Sequence, residues 1–137
     1  MSVLVIPNVA KTFHLSLQLG ASTDYPVTLK LFNNDAPINA STTLAMLNTA
    51  TFSGYSHGTL SGRSVAGSLD AFSRAYATWN PLTWTKSGAT GNTIYGYWVI
   101  NAAGDLLWCE KFDTAVPMSS DGAYLVITPR LTFTSQY

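Results

Sequence analysis

Residues able to hold a metal or move a proton are few in this chain and lie far apart. His14, His57 and Cys109 are its histidines and its cysteine, and no two fall at the short spacings from which zinc sites are built. Each is read as structural, Cys109 as a small buried residue. With a single cysteine no intrachain disulfide can form, so packing must stabilise the fold, as in a chain folded in a reducing cytoplasm. Ser56 beside His57, in a glycine-rich stretch, is the one centre around which a hydrolase triad could gather, because triads assemble in space. The chain holds 14 Ser and 17 Thr, however, so a serine next to a histidine is expected by chance. One glutamate, Glu110, and six aspartates, mostly in turn contexts, offer no facing carboxylate pair for glycoside hydrolysis. Gly54, Gly58 and Gly62 sit among strand formers, not ahead of a helix as a phosphate loop requires. The expectation is a protein that is not an enzyme and uses no metal or cofactor.

Aromatic residues are the more promising inventory. Trp79, Trp84, Trp98 and Trp108, with seven tyrosines, could stack on sugar faces or anchor a protein interface. Trp98 and Trp108 lie in strong strand patterns and are expected in the core. Trp79, next to Asn80-Pro81, is expected to be exposed or at an interface. Charge narrows the partners. Seven acidic and seven basic residues give zero net charge, and 10% charged residues compares with about 25% in ordinary domains. Without a basic surplus, nucleic acid is excluded as a main partner. A 47% hydrophobic content excludes disorder. No apolar run reaches the roughly 18 residues of a membrane helix. Val3 to Ile6 is apolar, but Pro7-Asn8 ends it and no basic region precedes it, unlike a secretory signal; the sequon Asn39-Ala40-Ser41 therefore carries no weight. Neutrality removes long-range self-repulsion and favours association.

The elements that must position these residues have a period of two. Leu15, Leu17 and Leu19 alternate with His14, Ser16 and Gln18, and Val27, Leu29 and Leu31 with Thr28, Lys30 and Phe32, so each set reads as a half-buried strand. Asn33-Asn34-Asp35 with Pro37 reads as a turn cluster. Thr43 to Asn48 is compatible with a short strand or a helical turn. Thr51 to Gly67 reads as short strands with bends. Leu69, Phe72 and Tyr76 make residues 68–78 the one helix candidate, equally compatible with an alternating loop and strand. Leu82 to Thr85 reads as a strand. Ile94 to Asn101 and Leu106 to Phe112 form the clearest hairpin, joined by a turn with Gly104 left-handed. Its first strand places Tyr95, Tyr97 and Val99 on one face and Ile94, Trp98 and Ile100 on the other; both are apolar, so it should be central. Glu110-Lys111 and Asp113 read as a solvated edge. Ser119 to Gly122 is a turn, and Tyr124 to Thr134 a last strand in which Pro129 marks an edge or bulge. The fold class is all-β: a single-domain antiparallel β-sandwich, jelly-roll-like, or a small β-barrel. Residues 1–24 are an N-terminal strand or arm, and residues 25–137 the sandwich domain.

Three stretches carry a resemblance. They are Leu29-Lys30-Leu31-Phe32-Asn33-Asn34 with Pro37 and Leu44-Ala45; Ala50-Thr51-Phe52-Ser53-Gly54-Tyr55 running to Leu60-Ser61-Gly62; and Ile94-Tyr95-Gly96-Tyr97-Trp98-Val99 followed by Ala103-Gly104-Asp105-Leu106-Leu107-Trp108, Phe112 and the strand around Pro129. In order and spacing the chain resembles small all-β virion proteins of tailed bacteriophages. Residues 1–24 and much of 63–92 fall outside the pattern. The resemblance implies a capsid decoration (cement) protein on the outer surface of the virion, made in the host cytoplasm. Its implied partner is the major capsid protein, with no nucleic acid and no membrane. A homo-oligomer, trimer or dimer, follows from capsid symmetry. Contacts are expected at Leu15, Leu17 and Leu19, where the N-terminal segment either adds a strand to a partner or forms a first strand of its own domain, and at Trp79 and Tyr137. The alternative is a carbohydrate- or receptor-binding module of a phage tail or fibre. A hydrolase centred on His57 is a third class.

Overall fold

The computed structural model describes residues 3–5, 7, 27–61 and 76–132. Among them nine strands occur: β1 (Val3–Val5), β2 (Thr28–Phe32), β3 (Gly58–Thr59), β4 (Tyr76–Thr78), β5 (Leu82–Thr85), β6 (Asn92–Ile100), β7 (Leu106–Met118), β8 (Tyr124–Ile127) and β9 (Arg130–Thr132). One 3-10 turn, Leu44–Met46, is the sole helical element among these residues, which resolves the choice over Thr43 to Asn48. The protein is an all-β, antiparallel sandwich.

One layer is a five-stranded antiparallel sheet in the order β1-β7-β6-β2-β3. β6 is its middle strand, as expected from a segment apolar on both faces. The β6–β7 turn forms as expected, with Gly104 at φ 89°, a conformation in which a Cβ would be strained. Asn101 closes the turn, its Oδ1 accepting the Asp105 N–H at 2.8 Å.

The second layer is built from β4 with β9 and β5 with β8. These two short ladders continue one another. The pairing Thr78↔Arg130 extends through Trp79 N–H to the Pro129 carbonyl, 3.1 Å, and resumes one residue out of step at Leu82↔Ile127. Pro129 thus marks a kink, as a residue without an N–H must when it lies inside a strand. Tyr76 to Thr78, assigned above to the end of a helix candidate, are extended instead because Arg130 to Thr132 pair with them; the rest of that candidate lies outside the described residues.

The ribbon covers one face of the sheet. Leu29, Leu31, Ile94, Tyr97, Val99 and Trp108 from the sheet share a core with Trp79, Trp84, Ile127 and Leu131 from the ribbon. The opposite face is covered by the loop after β2: Phe32, Trp98, Leu106 and Cys109 pack with Ala36 and Leu47. Phe32, which alternation places among the polar positions of β2, is fully buried for this reason.

Two corrections concern faces and edges. Ile94 shares the ribbon-facing core with Tyr97 and Val99, whereas Tyr95, Trp98 and Ile100 line the opposite side. The cause is a register shift: Ile94 pairs with Val116 but Gly96 with Lys111. Residues 112–115 therefore oppose Tyr95 alone, and a bulge of this kind exchanges the faces beyond it. Nor is β7 an edge at Glu110-Lys111. Val3↔Lys111, Leu4↔Glu110 and Val5↔Cys109 pair on its other side, so Val3–Val5 form a first strand of this chain's own sheet.

Candidate interaction surface

The residues expected to make contacts are placed unevenly. Leu15, Leu17, Leu19 and Tyr137 lie outside the described residues. Trp79 is the correction: it is not exposed but buried, 7% accessible, with its ring stacked on Trp108 at 5.3 Å between centroids. The pairing with Pro129 explains this, because alternation puts Trp79, Pro129 and Leu131 on the inner face of the ribbon. Trp98 and Trp108 are buried as expected, and Trp84 is also buried, its indole N–H donating to the Ser56 carbonyl at 2.7 Å.

The large exposed apolar side chains lie elsewhere. Tyr124 and Val126 on β8 are 69% and 49% accessible. Their cross-strand partners on β5 are Thr85 and Thr83, also exposed. Together the four residues form one outward face of the ribbon, aromatic, β-branched and hydroxylated, with no charge among them. The inward partners Leu82, Trp84, Leu125 and Ile127 bind the ribbon to the core, so alternation alone dictates which residues face out. A smaller apolar spot, Leu44 and Met46, is exposed on the 3-10 turn. Sequence reading missed Tyr124 because it treated residues 124–134 as one strand of unspecified partner.

A polar clamp fixes the end of this face. The ladder continues past β5 and β8, with Lys86 N–H donating to the Ala123 carbonyl at 2.8 Å and Gly122 N–H to the Lys86 carbonyl at 3.0 Å. The Lys86 side chain is only 4% accessible, and its ammonium meets Asp121 Oδ1 at 2.9 Å and the Gly88 carbonyl. Asp121 Oδ1 also accepts the Gly88 N–H at 3.1 Å. A buried ammonium requires such partners. They hold the Asp121 carboxyl below its usual range, the hydrogen bond from Lys86 being the largest cause. The clamp lies at the end of the β5–β8 ladder, next to Thr85 and Tyr124.

Of the residues considered for chemistry, His14 lies outside the described residues, and the others do not gather at one centre. Cys109 is buried, its thiol 3.9 Å from the Val5 carbonyl, and burial pushes its pKa up to about 12. His57 is exposed and meets the Tyr55 ring edge-on at 5.9 Å. Its pKa is lowered by desolvation and by the positive charge of Lys30, a neighbour of the sign opposite to a triad's carboxylate. Glu110 is half-buried and its pKa is raised, chiefly by burial and then by Asp113. Among the described residues, no three His, Cys, Asp or Glu side chains gather as a metal site would require, and no helix is long and apolar enough to cross a membrane.

Comparison of the chain with protein-family models, curated proteins and solved structures finds no match.

Proposed function

We propose that this protein is a structural virion component of a tailed bacteriophage, a capsid decoration protein that binds the major capsid protein from the outer surface. The observation that carries this reading is the uncharged β5–β8 face. Exposed aromatic and β-branched side chains on a hydroxyl-bearing ribbon give up little hydration when another protein covers them, since no ionised group has to be desolvated. An aromatic anchor is the residue type that contributes most at such a contact. The resemblance of the three sequence stretches supplies the particular setting, and capsid symmetry the expected dimer or trimer. On this reading Tyr124 replaces Trp79 as the anchor.

The test is re-addition of purified protein to particles assembled without it, followed by electron cryo-microscopy and heat challenge. Added protein should occupy regular sites on the head and delay DNA release, and Tyr124→Ser with Val126→Thr should lose occupancy while keeping the fold. Full occupancy by the double variant overturns the docking face; absence from the head overturns the decoration reading. The same exposed Tyr124 ring, flanked by threonine hydroxyls, also suits stacking on a sugar. Saturable binding on a glycan array, abolished by Tyr124→Ala, would favour a carbohydrate- or receptor-binding module instead.

A further inference from the structure

The chain contains one Asp-Gly step, Asp121-Gly122, and no Asn-Gly step. Such a step is chemically labile. The glycine amide nitrogen, with no neighbouring Cβ to obstruct it, can attack the aspartate Cγ. A C–N bond forms and the carboxyl hydroxyl leaves with the amide proton as water, closing a succinimide. Water then reopens the ring at either carbonyl, giving back aspartate or yielding isoaspartate, with no net change in composition. The step lies in an exposed turn closed by the Ala123 N–H on the Ser120 carbonyl, 3.0 Å, and the Asp121 side chain is 74% accessible. Exposure and sequence both mark it as reactive.

Its geometry opposes the reaction at both ends. The nucleophile's N–H is engaged, Gly122 donating to the Lys86 carbonyl at 3.0 Å. The electrophile is engaged too, Asp121 Oδ1 being held by the Lys86 ammonium at 2.9 Å and by the Gly88 N–H at 3.1 Å. Ring closure must break these contacts, and it proceeds through the neutral carboxyl, because an ionised carboxylate is a poor electrophile. The buried ammonium of Lys86 favours the ionised form. Residue 86 thus restrains both reacting groups, through its carbonyl and its side chain.

We propose that Asp121-Gly122 is a latent isoaspartate site of this protein and that Lys86 keeps it closed in the folded chain. Isomerisation would lengthen the backbone by one carbon immediately before β8. The register Thr85↔Tyr124 would then be lost at that end of the ribbon. This inference is independent of what the protein binds.

The experiment ages the full-length protein at neutral pH and physiological temperature. Isoaspartate is counted by protein isoaspartyl methyltransferase labelling and located by peptide mapping. The wild type, Lys86→Met and a synthetic peptide spanning residues 118–124 are compared, with near-UV circular dichroism to establish that each protein is folded. Loss of a charge-assisted hydrogen bond corresponds to about a ten-fold change in rate. The folded wild type should therefore react at least that much more slowly than the peptide, and folded Lys86→Met, which keeps the Gly122 and Gly88 N–H contacts, should react about ten-fold faster than folded wild type. Equal rates for folded wild type and peptide overturn the proposal, as does folded Lys86→Met reacting no faster than wild type. Should Lys86→Met not fold, Lys86→Gln takes its place with the same two outcomes. Isoaspartate arising mainly at another residue overturns the site assignment.

Discussion

Replacing Gly96 with alanine probes the bulge that decides which side chains of β6 face the ribbon. A Cβ at this position would collide with the Glu110 carbonyl oxygen and stand 2.6 and 2.7 Å from two carbons of the Phe32 ring. Ordinary carbon–carbon contact is about 3.5–4.0 Å. Neither obstacle can easily withdraw. Glu110 is paired with Tyr97 on one side and Leu4 on the other, and Phe32 is fully buried directly opposite Gly96. Overpacking a well-filled core costs about 1–3 kcal/mol when side chains can adjust. With partner-strand backbone in the way as well, the loss should reach about 3 kcal/mol, against a total stability of about 5–15 kcal/mol for a domain. Urea titration followed by tryptophan fluorescence measures it, with an unchanged slope reporting a two-state loss. Gly104→Ala is the control: its Cβ would meet nothing within 4 Å, so only the left-handed strain of about 1–2 kcal/mol remains. Phe32→Leu combined with Gly96→Ala should recover only part of the loss, because the Glu110 carbonyl stays in place. A Gly96→Ala penalty below that of Gly104→Ala would refute the bulge and the exchange of faces that follows from it.

Two further outcomes follow from ionisable groups that burial shifts. Because the Glu110 pKa is raised in the folded chain, the unfolded chain loses that proton first; stability should fall as pH rises from the ordinary glutamate value, about 4.3, through the raised folded one. Glu110→Gln should abolish that fall and be the more stable protein at neutral pH, so parallel pH profiles of the urea midpoint would contradict the assignment. Cys109, buried with its pKa pushed up to about 12, should react with a maleimide only as fast as the protein opens. Rapid stoichiometric labelling of the native chain would show the thiol to be accessible.

Much of the framework was legible because strand alternation is a local signal. Leu82 to Thr85, the β6–β7 hairpin, its Gly104 turn and the central place of β6 all follow from side-chain type and short-range order. Phe32 was not legible: its burial depends on a loop returning over the sheet from residues 33–50. The face occupied by Ile94 was not legible either, since a bulge changes parity without changing composition. For the candidate surface, the expectation of an uncharged aromatic contact was readable, but its placement at Trp79 was not. The ladder does step by one residue across Asn80-Pro81, yet Trp79 still pairs with Pro129, and that pairing turns the ring inward.

Sequence by itself determined that this is a neutral, hydroxyl-rich, all-β chain in which alternation builds antiparallel strands, because each of those properties belongs to single residues or near neighbours. Only the tertiary structure decided that one kinked ribbon covers the sheet, that Trp79 is core while Tyr124 and Val126 face out, and that Lys86 is buried against Asp121. Each of those depends on which strand lies across from which, and in antiparallel pairing a single residue of register exchanges inside for outside.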